Sequence, residues 1–146
     1  MEETVAYVEK IKRNVVHLVA VDDLFHLCRG GRINKATAIV GSMVNVKPII
    51  HVDNEGHLVN ILKVRGRKKS LVKIVEMMGE QMGSFSNQND VVMVTHGDVD
   101  EEAYMVADMV KEKYGVKEAF ISNLGAVIGS HAGPGTLALF FMGNEK

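Results

Sequence analysis

A hairpin signal between residues 46 and 64 places the strongest constraint on the fold. Two runs rich in valine, isoleucine and leucine, residues 46–52 and 57–64, flank the turn-forming tetrapeptide Asp53-Asn54-Glu55-Gly56. A hairpin commits these two strands to antiparallel pairing. The remaining apolar runs alternate with helical segments, which is typical of layered helix and sheet. We therefore predict an α/β (α+β) sandwich with a mixed, partly antiparallel sheet and flanking helices.

Periodicity predicts the other elements. Apolar runs predict strands at 15–21, which is rich in valine, and at 91–95, 118–122 and 137–142. Amphipathic or capped segments predict helices at 1–14, 23–28, 33–44, 68–82 and 100–114. In the 68–82 helix, the side chains expected to face the core are Leu71, Ile74, Val75 and Met78. Asp98 is predicted to cap the 100–114 helix and Gly115 to end it, whereas 127–134 is predicted to be a glycine-punctuated loop.

Composition narrows the class of protein. The chain has 146 residues, of which 47% are hydrophobic, and this favours one globular domain. The single cysteine, Cys28, excludes an internal disulfide and fits a reducing compartment. We expect no membrane span, because no apolar run approaches the roughly 18 residues that a spanning helix needs. The acidic start, Met1-Glu2-Glu3, is unlike a signal peptide, and we therefore expect a cytoplasmic protein.

Charge is segregated along the chain. Residues 29–69 contain nine Lys or Arg and two Asp or Glu, although the net charge of the whole chain is −1. A basic segment in an otherwise acidic chain indicates an anionic partner: a carboxylate, a phosphate, a nucleic acid or an acidic protein surface. The alternative is a solvated charged loop.

Basic residues also lie at predicted helix N-termini, where acidic residues are usual. The helices predicted to begin near 33 and 68 are preceded or opened by arginines and lysines, although a helix N-terminus favours negative charge. Such misplaced cations are typical of an anion site, and Gly30, Gly31 and Gly66 would let backbone N–H groups approach the anion. The alternative is that the glycines only end a helix and the lysines are solvated.

A third polar element is the loop from Gly129 to Thr136. His131 in this loop could donate a hydrogen bond to a carboxylate, with Ser130 and Thr136 assisting. The alternative is a structural histidine with its own internal partners. The chain has no His-Glu-x-x-His, zinc-knuckle, Gly-x-Ser-x-Gly or Walker-type motif, so the sequence indicates neither a metal nor an enzyme. It has no tryptophan, which argues against stacking of nucleic-acid bases.

Four motifs occur in a fixed order between residues 16 and 143. They are Leu27-Cys28-Arg29-Gly30-Gly31-Arg32-Ile33, Gly41-Ser42-Met43-Val44-Asn45-Val46-Lys47-Pro48-Ile49, Lys63-Val64-Arg65-Gly66-Arg67-Lys68-Lys69 and Ile128-Gly129-Ser130-His131-Ala132-Gly133-Pro134-Gly135. This combination resembles the DegV family of bacterial fatty-acid-binding proteins, and the resemblance covers nearly the whole chain. DegV proteins have two α/β domains, and this chain is similar to the C-terminal one. The resemblance implies that residues 1–14 end a linking helix, that 15–146 form the lipid-binding domain, and that the N-terminal domain is absent.

The resemblance also implies a function and a site. It implies non-covalent binding of a long-chain fatty acid as ligand, with no cofactor and no enzymatic activity, and presentation of the carboxylate to a fatty acid kinase. His131 is implied as a carboxylate ligand, helped by Ser130 and Gly133. Arg32 and Arg65 are implied near the head group or on the docking face for the kinase, where Arg67 joins them. We expect the walls of an acyl tunnel at Ile39, Met43, Leu139 and Phe140.

Two other functions remain open at this stage. The chain could be a ligand-free protein-interaction module, or a self-associating part of a two-domain lipid-binding protein, in which a homo-oligomer covers an apolar face. A nucleic-acid binder that uses the basic segment is less favoured, and an enzyme is least favoured because no nucleophile and base can be assigned.

Overall fold

A six-stranded mixed sheet lies at the centre of the fold in the computed structural model, which describes residues 1–33 and 45–144. The described strands are β1 (Val15–Ala20), β2 (Val46–Val52), β3 (Leu58–Arg65), β4 (Val91–His96), β5 (Glu118–Asn123) and β6 (Leu137–Met142). The described α-helices are α1 (Glu2–Ile11), α2 (Leu24–Arg29), α3 (Arg67–Met82), α4 (Asp100–Tyr114) and α5 (Ala126–Ala132). The predicted fold class is confirmed, and so is the hairpin of β2 and β3.

Strand order places most of the connecting loops at one edge of the sheet. The order is β3-β2-β1-β6-β4-β5, and only β4 and β5 pair in parallel among the described strands. Consequently β1, β3, β4 and β5 all end, and β2 and β6 both begin, at the same edge, which we call the upper edge. The segments that follow β1, β3 and β5 carry the cations and the histidine loop singled out in the sequence.

Helices α3 and α4 cover one face of the sheet. The core between them and the strands contains fully buried side chains such as Leu18, Ile49, Val94 and Leu139. The four α3 residues predicted to face inward are all buried, as the helical period requires: Leu71, Ile74, Val75 and Met78. Among the described residues, this layer is the larger of the two buried apolar clusters.

The opposite face of the sheet is covered only near its upper edge in the described part of the chain. There α2 and α5 pack together over a second cluster formed by Val21, Leu24, Leu27, Ile50 and Ala132. Farther down, the same face exposes large apolar side chains, with Val91 55% exposed, Met93 40% and Phe120 54%. Together with neighbouring residues of β1 and β6, they line a shallow trough of about 550 Å³.

Two local predictions were wrong. The 127–134 segment was predicted to be a loop, but residues 126–132 form α5, because its carbonyl groups find partners outside the helix. Asp98 was predicted to cap α4, but the N-cap is Val99, and it makes no side-chain capping bond. Asp98 instead adopts a positive φ of 61°, and the Val99 N–H donates to His96 Nδ1. The end of α4 at Gly115, in the left-handed conformation, was predicted correctly.

The helix predicted at 33–44 falls outside the described residues from position 34 onward. The N-terminal segment is helical as predicted, and α1 has no buried residue. Among the helices within residues 1–33 and 45–144, none combines the length and the apolarity needed to cross a bilayer.

Candidate functional site

The candidate site lies at the upper edge, where α2 meets α5. Helix α2 is capped at its start by Asp23, whose side chain accepts the Phe25 N–H at 2.8 Å, and it is followed by the Gly30-Gly31 pair. Gly31 has a φ of +71°, a conformation that favours glycine and turns the chain sharply after the helix. This turn directs the segment through Arg32 back toward α5.

His131 packs directly against the end of α2. A Cβ atom placed on Gly30 would lie 2.7 Å from His131 Nδ1, so only glycine accommodates the imidazole in this position. The other ring nitrogen, Nε2, lies 3.3 Å from Arg32 Nη2. The fold therefore brings together residues 99 positions apart in the sequence.

The contact between Arg32 and His131 constrains the proton on the imidazole. A guanidinium group only donates, so Nε2 must accept from Arg32, and the ring proton then lies on Nδ1. His131 Nδ1 is buried, and it has no hydrogen-bond partner within residues 1–33 and 45–144. A buried N–H group without an acceptor is costly. An anion that accepted from both Arg32 and His131 Nε2 would favour the other tautomer, in which the buried Nδ1 carries no proton.

A second histidine makes the reciprocal contact. His26 of α2 lies with Nε2 2.7 Å from the Ser130 carbonyl oxygen of α5. A Cβ atom on Gly133 would lie 2.7 Å from His26 Cγ, so this glycine, whose φ is +83°, makes room for the ring. Sequence reasoning did not single out His26. Pro134 could have indicated that such a donor is needed, because it has no N–H for the carbonyl of Ser130 four residues earlier.

The hydroxyl groups of the α5 segment are already engaged in the described residues. Ser130 Oγ donates to the Val127 carbonyl at 2.8 Å, and Thr136 Oγ1 donates to the Ala132 carbonyl at 2.9 Å. Both bonds stabilise the short helix and its exit. Ser130 and Gly133 thus contribute here chiefly through the backbone.

The predicted cations divide into two groups at the upper edge. Arg67 is held by Glu102 of α4, with Nε 2.9 Å and Nη2 2.6 Å from the same carboxylate oxygen. Its Nη1 also lies 3.5 Å from the Ala20 carbonyl oxygen, so Arg67 connects α3 to α4 and β1. Lys47 pairs with Asp22 at 2.6 Å. These cations are neutralised within the fold.

The other cations are exposed. Arg65 ends β3, and Lys68 and Lys69 follow in the first turn of α3, which contains no acidic residue. None of these three side chains makes an ion pair with another described residue. Arg65 lies at the upper edge, as Arg32 and His131 do, but it is at the end of β3, the outermost strand on one side of the sheet.

An apolar strip runs from the histidine site down the second face of the sheet. Along β1 the side chains on this face are Val15, His17 and Val19, followed by Val21 of the second cluster. His17 packs edge-on against Phe140, with ring centroids 5.1 Å apart. Val21 is fully buried in that cluster, so the part of the strip with accessible side chains, residues 15 to 19, spans about 13 Å.

The predicted acyl-binding residues have different positions relative to this strip. Phe140 is half-buried on it and lines the trough. Leu139 points to the opposite face and is fully buried beneath α3 and α4, because successive residues of a strand alternate between faces. Ile39 and Met43 lie outside the described residues.

One cluster of possible metal ligands occurs in the described residues, in the hairpin turn far along the chain from the histidine site. Asp53, Glu55 and His57 have ligand atoms within 4.8 Å of one another. The carboxylate of Asp53 accepts the backbone N–H groups of His57 at 2.8 Å and Glu55 at 3.0 Å. These bonds, the one from His57 above all, lower the pKa of Asp53 below its usual value of 3.8. The cluster closes the turn, with Glu55 and His57 exposed and Asp53 half-buried.

Comparisons with known proteins agree on one family. Residues 1–144 match the family model described as "Uncharacterised protein, DegV family". The chain is 40% identical over 146 residues to the DegV domain-containing protein CPE0026 of Clostridium perfringens, covering all of this chain and 50% of that protein. It thus spans about half the length of the curated relatives it matches.

Solved structures show the same fold. DegV, a fatty acid binding protein from Bacillus subtilis, is 36% identical with a TM-score of 0.75, covering 98% of this chain and 50% of that one. The Fatty Acid Kinase (Fak) B3 protein of Streptococcus pneumoniae, loaded with linoleic acid, superimposes with a TM-score of 0.86. That match covers 98% of this chain and 50% of the other, and at 16% identity it supports the fold alone.

Proposed function

Because the chain belongs to the DegV family, we propose that it binds a long-chain fatty acid non-covalently and presents the carboxylate to a fatty acid kinase. The proposal assigns no covalent chemistry to the chain itself. It assigns the head group of the lipid to Arg32 and His131, and the acyl tail to the apolar strip on which Phe140 lies.

The observation that carries the proposal is the contact between Arg32 and His131. Two groups able to donate hydrogen bonds lie 3.3 Å apart at the upper end of an apolar surface. A carboxylate accepts from a guanidinium and an imidazole together, in charge-assisted bonds. In that complex the imidazole proton moves to Nε2, and the buried Nδ1 no longer carries a proton that lacks an acceptor.

The apolar strip supports a long tail. Burying a methylene group stabilises a complex by about 0.8 kcal/mol. Each two-carbon extension that stays on the strip therefore strengthens binding by about 1.6 kcal/mol, slightly more than tenfold. Affinity should stop increasing when the chain passes the end of the trough at Met142.

The exposed cations support docking of the kinase. Arg65 makes no ion pair with any described residue and lies at the same edge as the proposed head group. It is available to an acidic partner surface beside the lipid carboxylate. Arg67 is a weaker docking residue, because Glu102 already holds its guanidinium.

A second candidate function is self-association through the open sheet face. Val91, Met93 and Phe120 are each at least 40% exposed there, and such apolar surface is typical of an interface. The two functions differ in what covers the strip, a lipid or a second protein surface.

The test compares ligands that differ only in the head group. Hexadecanoic acid and hexadecanol are titrated into the purified chain, and native mass spectrometry establishes whether lipid co-purifies. We expect the acid to bind at least tenfold more tightly than the alcohol, and Arg32→Gln and His131→Phe to remove most of that preference. Arg65→Gln should leave lipid affinity unchanged and slow phosphorylation by the kinase.

The outcomes separate the candidates. Equal affinity for acid and alcohol would contradict the head-group site. Absence of any lipid binding, together with a dimer in sedimentation that Phe120→Asp dissociates, would favour self-association instead.

A further inference from the structure

We propose that His26 is a positioning residue: it holds α5 against α2 so that His131 and Arg32 keep the geometry that binds a carboxylate. This inference rests on the proposed function and extends it to a residue outside the head-group contact. His26 lies on α2 and reaches across to the backbone of the helix that carries His131.

The need for His26 arises from the end of α5. In a helix, the carbonyl of residue 130 would accept the N–H of residue 134, but Pro134 has no N–H. The Gly129 carbonyl is satisfied by the Gly133 N–H at 2.8 Å, and the Ala132 carbonyl by Thr136 Oγ1. His26 Nε2, at 2.7 Å, is the donor that satisfies the carbonyl of Ser130.

The orientation of the His26 ring is fixed on its other side. Since Nε2 must donate to a carbonyl oxygen, Nδ1 is left to accept, and Arg29 Nη2 lies 3.5 Å from it. Arg29 also lies 3.5 Å from Asp23, the residue that caps α2. The ring is therefore held between its own helix and α5.

Two glycines make this connection reciprocal. The His26 ring occupies the space beside Gly133 in the exit from α5, and the His131 ring occupies the space beside Gly30 in the exit from α2. Each helix thus places an imidazole where the other has no side chain. The spacing between α2 and α5 determines where His131 stands relative to Arg32, two residues beyond Gly30.

The experiment measures the preference for acid over alcohol in variants of His26 in the full 146-residue chain. His26→Leu removes the donor, and we expect the ratio of hexadecanoic acid to hexadecanol affinity to fall about tenfold with alcohol affinity retained. His26→Gln places an amide N–H near the position of Nε2, and it should restore most of the ratio. His57→Leu, at a histidine whose side chain is 76% exposed, is the matched control and should leave the ratio of acid to alcohol affinity unchanged.

A second measurement does not depend on the ligand. In nitrogen-detected NMR of the lipid-free chain, we expect His26→Leu to shift the ring nitrogen signals of His131 and His26→Gln to return them toward wild type. A merely structural role would lower the affinity for acid and alcohol alike.

The outcomes distinguish the two proposals. If wild type prefers the acid and His26→Leu keeps the full preference and unchanged His131 signals, the positioning role is wrong while the head-group site stands. If wild type shows no preference for the acid, the proposed function fails, and the His131 signals alone decide whether His26 positions that ring.

Discussion

Adjacent glycines at the end of α2 allow the steric and conformational roles of glycine to be separated. Gly30 has helical backbone angles, φ −73° and ψ −1°, so alanine is compatible with its backbone. A Cβ there would lie 2.7 Å from His131 Nδ1. Gly31 is the opposite case, because its φ is +71° and a Cβ there would meet no atom of residues 1–33 or 45–144 within 4 Å. Gly30→Ala therefore tests contact with His131, and Gly31→Ala tests backbone strain.

The magnitudes follow from these distances. An ordinary contact begins near 3.4 Å, so Gly30→Ala must displace the His131 ring by roughly 0.7 Å. Misplacement of this size removes most of one charge-assisted hydrogen bond, about 1.5–3 kcal/mol, and weakens carboxylate binding by about 10- to 150-fold. Gly31→Ala costs about 1–2 kcal/mol of folding free energy, a fall in Tm of about 3–6 °C, with the affinity unchanged.

The assay pairs thermal unfolding with titration of hexadecanoic acid and hexadecanol. Gly30→Ala should lower the affinity ratio of acid to alcohol, and Gly31→Ala should lower only Tm. A Gly30→Ala variant that keeps the wild-type ratio would refute the reasoning that contact with Gly30 positions His131. Loss of the preference for acid over alcohol in Gly31→Ala would show that the turn at Gly31, rather than the contact between Gly30 and His131, controls the site.

Three further predictions concern hydrogen bonds and charges. Thr136→Val removes a buried donor to a helix carbonyl, and it should lower the free energy of unfolding by about 1 kcal/mol in chemical denaturation. Thr95→Val removes a buried hydroxyl that has no partner among the described residues, so the same measurement should show unchanged or increased stability. Glu102→Gln weakens the half-buried ion pair with Arg67 and should lower stability by about 1–2 kcal/mol; an unchanged denaturation midpoint would assign that pair no net effect. Folding lowers the pKa of Asp53, so the stability that its carboxylate contributes is present above pH 3.8 and is lost as pH falls through the folded-state pKa. In an NMR titration the midpoint of Asp53 should lie below 3.8, and a midpoint at or above that value would contradict the turn geometry.

Most of the fold was predictable because its signals are local. The hairpin turn, the α3 positions that face the core, and the end of α4 at Gly115 each depend on residues close together in the sequence. Strand order was not predictable in the same way. The position of β1 between β2 and β6 depends on which apolar surfaces complement one another across the whole chain.

The errors have the same origin. Helix α5 was predicted to be a loop because Gly129, Gly133 and Pro134 lower the local helix propensity. The helix is stabilised by donors from elsewhere, among them His26, which lies 104 positions from Ser130. The family resemblance implied Arg32 and His131 as site residues, and these two side chains lie 3.3 Å apart, but it gave no indication of His26.

The long sequence separation between α2 and α5 has a consequence for how ligand and folding are coupled. Closing a loop of about a hundred residues is entropically costly, so contacts between these helices form only when the intervening strands have assembled. A partly unfolded chain that has lost β4 or β5 would therefore have no head-group site at all. A bound lipid should protect the slowest-exchanging backbone amides of α3, on the opposite face of the sheet, as strongly as those of β1 beside it.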